Sequence, residues 1–160
     1  IFMSSCNPFL RMGAETFAQR ARDAGVAACI LPDLPLETQH LLPGAPPMVQ
    51  LVAPNTPETR VLELASLDPP FLYAVTVLGV TGCRTDLAAY TLPFLQRIKS
   101  LVQVPVLAGF GVSTPEQAQT MAAACDGVII GSALLRALDQ EDPARAARDF
   151  LNPIRQALDA

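Results

Sequence analysis

The sequence predicts an α/β protein on a parallel sheet, a (β/α)₈ barrel present here in about six of its eight βα units. Three observations carry this expectation. Six short apolar runs recur along the chain, nearly continuous rather than alternating, as in strands covered on both faces. Segments with helical spacing separate them, and strict strand–helix alternation demands right-handed parallel crossovers. The glycine-rich turns follow the last two runs. An open doubly wound sheet, the competing architecture, prefers such a turn after its first strand, where this chain has Cys6-Asn7-Pro8-Phe9.

The runs are Ile1–Cys6, Val26–Leu31, Met48–Ala53, Phe71–Val77, Val104–Ala108 and Gly127–Ile130. Ala14–Ala24 is expected to be helical with Phe17, Ala18 and Ala21 on one face. Pro57–Leu67 follows with Val61, Leu62 and Ala65, and Thr114–Ala124 with Ala118, Met121 and Ala122. Asn55-Thr56-Pro57-Glu58 and Ser113-Thr114-Pro115-Glu116 each read as a helix start, with a capping side chain, a proline and a glutamate in the first turn. Asp86–Val102 is also expected to be helical, kinked at Pro93 or starting near it. A last helix, Pro143–Asp159, is expected to be interrupted at Asn152-Pro153, and a short one spans Ser132–Leu138. Residues 1–160 are read as one partial barrel domain.

Composition excludes several classes. The chain is 51% hydrophobic and 16% charged, which excludes disorder. A net charge of -4 gives nucleic-acid binding no electrostatic support. No apolar stretch approaches the roughly 18 residues of a membrane span, and no secretory leader is evident. Cys6, Cys29, Cys83 and Cys125 form no C-x-x-C pair, and His40 is the sole histidine, so no metal site is expected. Cys29 and Cys125 lie in or beside apolar runs, where free thiols act as small hydrophobes. A reducing, cytoplasmic setting follows.

Chemistry in such a fold sits in the loops at the carboxyl ends of the strands. Gly109-Phe110-Gly111 followed by a helix, and Gly131-Ser132 one βα unit later, are expected to expose backbone N–H groups to a phosphate. The alternative is that these glycines only permit tight turns. Gly79-Val80-Thr81-Gly82 suits a lid over a ligand or an ordinary connection. Asp33, between two prolines, suits a general base or, more commonly for such an aspartate, an acceptor for neighbouring loop N–H groups. Tyr73 reads as a pocket or core residue, and His40 as a solvated helix residue. Asp33 is the only acidic group near a strand end, so no carboxylate pair for acid–base work is in sight.

The run Phe71-Leu72-Tyr73 followed by Gly79-Val80-Thr81-Gly82, then Gly109-Phe110-Gly111-Val112-Ser113-Thr114-Pro115-Glu116, then Asp126-Gly127-Val128-Ile129-Ile130-Gly131-Ser132, resembles the tryptophan synthase alpha chain family. Asn7-Pro8, Leu31-Pro32-Asp33-Leu34-Pro35 and Leu51-Val52-Ala53-Pro54-Asn55-Thr56 fit the same family, so the resemblance spans the chain. It implies a (β/α)₈ barrel lyase that cleaves indole-3-glycerol phosphate to indole and glyceraldehyde 3-phosphate. It also implies a beta-chain partner that carries pyridoxal phosphate, the alpha chain itself needing no cofactor.

By this resemblance Gly82, Gly111, Gly131 and Ser132 would bind the phosphate and Thr81 would belong to the lid. Tyr73, Phe110, Ile30 and Ile129 would line the indole pocket, and Asn7 and Pro35 would face the beta chain. The family's catalytic glutamate and aspartate fall upstream of Ile1, since Ile1–Cys6 resembles the third strand. These 160 residues are therefore expected to keep the binding side of the site and to lack cleavage activity. A non-catalytic phosphate-binding module or pseudo-subunit is the alternative, and another phosphate-handling barrel, which would lose the G-V-T-G match, is a third.

Overall fold

The computed structural model describes residues 1–76, 87–109 and 111–159. Its strands are β1 (Phe2–Met3), β2 (Cys29–Ile30), β3 (Gln50–Val52), β4 (Leu72–Val75), β5 (Val106–Gly109) and β6 (Gly127–Ile129). The helices are α1 (Asn7–Met12), α2 (Ala14–Asp23), α3 (Glu58–Ser66), α4 (Leu87–Leu101), α5 (Pro115–Ala122), α6 (Ser132–Ala137) and α7 (Pro143–Asp159), with a 3₁₀ segment at Leu36–Leu41.

Strand order decides between the two parallel architectures. β1 pairs with β2, β3 with β4, β4 with β5 and β5 with β6, every ladder parallel. A parallel bridge between Cys29 and Met48 joins the two sheets. Each strand therefore lies beside its successor and the order never reverses, which is the winding of a barrel wall and not of a doubly wound sheet.

Alternate residues of the wall face opposite layers. Leu72, Ala74, Val106 and Ala108 point outward into a core with Val61, Leu64, Phe94, Leu95 and Ile98, the α3 and α4 faces. Ile30, Val49 and Tyr73 point inward, where Leu51, Val75, Leu107 and Ile129 pack against them only partly buried. The outer layer is closed and the lumen half open, because six strands do not complete an eight-strand wall. For the same reason β1, expected to be covered on both faces, is exposed at both its residues.

Local expectations meet the structure unevenly. On α2 the buried face is Phe17, Ala18 and Ala21, as the spacing predicts. On α3 it is Val61 and Leu64, and Leu62 turns to solvent. Helix α4 runs through Pro93 without starting there, since Phe94, Leu95 and Ile98 are buried against the sheet and that burial offsets the lost hydrogen bond. Helix α7 likewise continues through Pro153, with Phe150, Ile154 and Leu158 at i, i+4 spacing packed against Val112 and Ala118. Thr114 caps α5, but α3 has no side-chain cap. Thr56 instead accepts the Ala53 N–H at 2.9 Å, closing the turn after β3, and Pro57 opens the helix.

Asp126 latches the amino-terminal end of the wall. Its carboxylate accepts from the Val106 N–H at 2.7 Å and from Lys99 Nζ at 2.9 Å. Partial burial opposes ionisation, but the Lys99 ammonium and the Val106 N–H outweigh it and hold the carboxyl below the ordinary aspartate range. A depressed folded-state pKa contributes stability above the unfolded value, and this is lost as pH falls through the folded one. Asp126→Asn should cost about 1 kcal/mol at neutral pH. The gap to wild type should begin to narrow below about pH 3.9 and close as the pH falls through the lower folded-state value. Urea melts of both proteins at the two pH values check it.

Candidate functional site

The loops after β5 and β6 leave the wall side by side. Gly109 is in register with Ile129, and Gly111 and Gly131 each follow that pair by two residues along the chain. Gly111 has φ +83°, a backbone that a side chain resists. Gly131 precedes the first turn of α6, and a Cβ built on it would meet nothing within 4 Å. Ser132 opens α6 with no side-chain cap on that helix, so the first-turn N–H groups there face outward.

Helix α5 behaves differently from the expectation of free N–H groups. The Gln117 carboxamide accepts from the Ser113 N–H at 2.9 Å, the Ser113 hydroxyl at 3.0 Å and the Thr114 N–H at 3.2 Å. Thr114 returns the bond by accepting the Gln117 N–H at 3.3 Å. This capping box occupies the start of α5, leaving Gly111 rather than the helix as that loop's contribution to the site. The Thr114-Pro115-Glu116-Gln117 spacing carries the signal, because the third helical residue is the glutamine.

The lumen beside these turns is apolar. Ile30, Tyr73 and Ile129, expected to line one pocket, fall in a single cluster with Val49 and Phe71. Burial pushes the Tyr73 phenol up from its ordinary value, so it stays protonated at neutral pH. Its ring leans over β5: a Cβ on Gly109 would lie closer than 3.0 Å to the Tyr73 Oη, Cε1 and Cζ atoms. Gly109 is thus a shaping residue that the sequence hides, because Gly109-Phe110-Gly111 reads as a turn while its first glycine makes room for an aromatic ring. Thr81, Gly82 and Phe110 lie outside the described residues.

At the other side of the mouth, Asp33 Oδ1 accepts the Cys6 N–H at 2.8 Å, tying the loop after β2 to the loop after β1. The carboxylate serves as a tether, the commoner of its two expected roles. It sets Cys6, next to Asn7, against the loop that carries Pro35, and both Asn7 and Pro35 are exposed. The Cys6 thiol is raised by desolvation and by Asp33, and the Cys29 and Cys125 thiols by burial. None of the three is poised as a nucleophile. His40 sits exposed on the 3₁₀ segment, its Nδ1 2.9 Å from the Glu37 carbonyl oxygen. Among the described residues no acidic, histidine and cysteine group is set to hold a metal, and no helix is long and apolar enough to cross a membrane. Surface grooves of about 570 and 490 Å³ lie along α2 and beneath Pro70 and Pro105, away from the glycine turns.

The family model for the tryptophan synthase alpha chain matches residues 1–157. The chain belongs to the tryptophan synthase alpha chain family. The alpha chain of Bacillus cereus (strain AH820) is 38% identical over 167 residues, covering all of this chain and 64% of that protein. The alpha chain of Nitratidesulfovibrio vulgaris (strain DP4) is 41% identical over 144 residues, covering 87% of this chain and 56% of that one. The chain thus spans less than two thirds of the length of these tryptophan synthase alpha relatives. Among solved structures, the alpha chain of Legionella pneumophila superposes with TM-score 0.81 at 32% identity, covering 98% of this chain and 61% of its own length. An alpha2beta2 tryptophan synthase from Pyrococcus furiosus gives TM-score 0.79 at 28% identity, covering 99% and 66%. The wall described above is therefore part of a tryptophan synthase alpha barrel.

Proposed function

We propose that this chain forms the substrate-binding side of a tryptophan synthase alpha site, a lyase that cleaves indole-3-glycerol phosphate to indole and glyceraldehyde 3-phosphate. The observation that carries the reading is the pair of turns that leave adjacent paired strands, one with a left-handed glycine and one with open space where a Cβ on its glycine would lie. Backbone N–H groups of Gly111, Gly131 and Ser132 bind the phosphate, since donors at a turn and a helix start favour an anion. The indole ring lies in the lumen against Tyr73, Ile30 and Ile129, and Thr81, Gly82 and Phe110 complete the lid and pocket. Asn7 and Pro35 form part of the surface for a beta chain, which carries pyridoxal phosphate; this chain needs no cofactor of its own. A cytoplasmic setting belongs to the same proposal, supported by the free thiols of Cys6, Cys29 and Cys125. Residues 1–160 act as one unit in it.

Cleavage requires an acid to protonate the indole ring and a base to take the glycerol hydroxyl proton. Asp33, the carboxylate in a loop at the carboxyl end of a strand, is held on the Cys6 N–H. The 160 residues are therefore expected to bind the phosphate without turnover. Isothermal titration with glycerol 3-phosphate checks the binding. Gly131→Val adds a Cβ that meets nothing within 4 Å, and a thermal melt checks that the variant is folded. It should weaken binding by roughly tenfold or more, because the added side chain obstructs the approach of an anion to the backbone N–H groups. Binding that survives Gly131→Val refutes the site, and turnover by the 160-residue chain refutes the assignment of binding without cleavage.

A further inference from the structure

The last described residue of β4's exit, Thr76, is buried and spends both its N–H and its hydroxyl on one atom. The Gly109 carbonyl oxygen accepts the Thr76 N–H at 3.0 Å and the Thr76 Oγ1 hydroxyl at 2.6 Å. The N–H bond is an ordinary extension of the β4–β5 ladder, which needs no side chain. The hydroxyl bond is additional and fills the second lone pair of that oxygen. Gly109 is also the residue under the Tyr73 ring, where no Cβ fits.

We propose that Thr76 is a positioning residue for the phosphate-binding turn. The Gly109 carbonyl belongs to the peptide plane that starts Gly109-Phe110-Gly111, and a peptide plane held at its oxygen cannot rotate about its flanking bonds. With the oxygen held by two donors from β4 and the Cα beneath Tyr73, the plane has one orientation. The turn that leads to Gly111 therefore starts from a fixed point at the end of β5. The consequence is that β4 sets both walls of the site: Tyr73 shapes the apolar pocket, and three residues on, Thr76 sets the aim of the anion-binding turn. Pre-orientation matters because donors already aimed at an anion cost no ordering when it arrives.

This inference rests on the proposed phosphate site, and its test separates the two. Thr76→Val keeps the shape of the side chain and the N–H bond but removes the hydroxyl. Thr76→Ser keeps the hydroxyl. Titration with glycerol 3-phosphate should show Thr76→Val weakened roughly five- to tenfold and Thr76→Ser close to wild type, the worth of one buried hydrogen bond. Thermal melts of all three proteins check that each is folded. The amide resonance of Gly111, followed by NMR without ligand, should shift in Thr76→Val and return in Thr76→Ser. A purely structural role would lower the melting temperature and leave that resonance and the affinity in place. Equal affinity in wild type and Thr76→Val overturns the inference while leaving the phosphate site standing. If wild type binds no phosphate, the site falls, and an unmoved Gly111 resonance in Thr76→Val then overturns the inference on its own. Should Thr76→Val fail to fold, Thr76→Ala supplies the same comparison.

Discussion

Gly109→Ala is expected to destabilise the protein by about 1–3 kcal/mol, the usual range for forcing atoms into a packed interior. The new methyl would overlap the hydroxyl and two ring carbons of Tyr73, so the ring must move. Removing the hydroxyl alone, in Gly109→Ala/Tyr73→Phe, should recover little, because the overlap with the ring carbons remains. Gly109→Ala/Tyr73→Leu should recover most of the loss, giving a coupling of about 1 kcal/mol or more between sites in contact. Denaturant midpoints of the singles and doubles measure it. Near-UV circular dichroism adds a local readout: the chain has no Trp and two Tyr, and Tyr90 is 77% exposed, so the aromatic tyrosine signal comes mainly from Tyr73. A neutral Gly109→Ala would mean that the ring does not lie over β5.

Leu95→Ala is expected to cost about 2–5 kcal/mol, because Leu95 is fully buried between α4 and the outer face of the wall. Leu107→Ala, one strand face away in the half-open lumen, should cost under about 2 kcal/mol, since its side chain already meets solvent. The contrast tests the layer assignment itself. Equal costs would place as much of the protein's packing inside the wall as outside it. Loss of the lumen leucine should affect indole affinity more than stability, while Leu95→Ala should do the reverse. Chemical denaturation and indole titration on the same pair of variants read both effects.

The strand–helix order, the parallel wall and the face of α2 were legible in the sequence because each signal is local. An apolar run, a cap residue and a 3.6-residue period act within one element, where chain neighbours decide the outcome. Local signals also failed where distant packing outweighed them. Pro153 read as an interruption and Pro93 as a kink or a helix start, yet Phe94, Leu95, Ile98 and Ile154 bury enough apolar surface to carry α4 and α7 through them. Leu62 read as core, and the angle at which α3 meets the wall buries Leu64 instead.

The family pattern, the glycine turns and Asp33 as a loop acceptor were all present in the one-dimensional text. What the text does not contain is which atoms meet across the wall. Asp33 finds the Cys6 N–H 27 residues away, and Thr76 finds the Gly109 oxygen 33 residues away. Those pairings depend on strand register, and register is a property of the assembled sheet, in which a one-residue slip reverses every side chain. The sequence by itself therefore determined the barrel wall and the family to which it belongs. Tertiary structure alone decided that Gly109 yields to Tyr73 and that the threonine just after β4 meets the Gly109 oxygen, because only folding brings those atoms within reach.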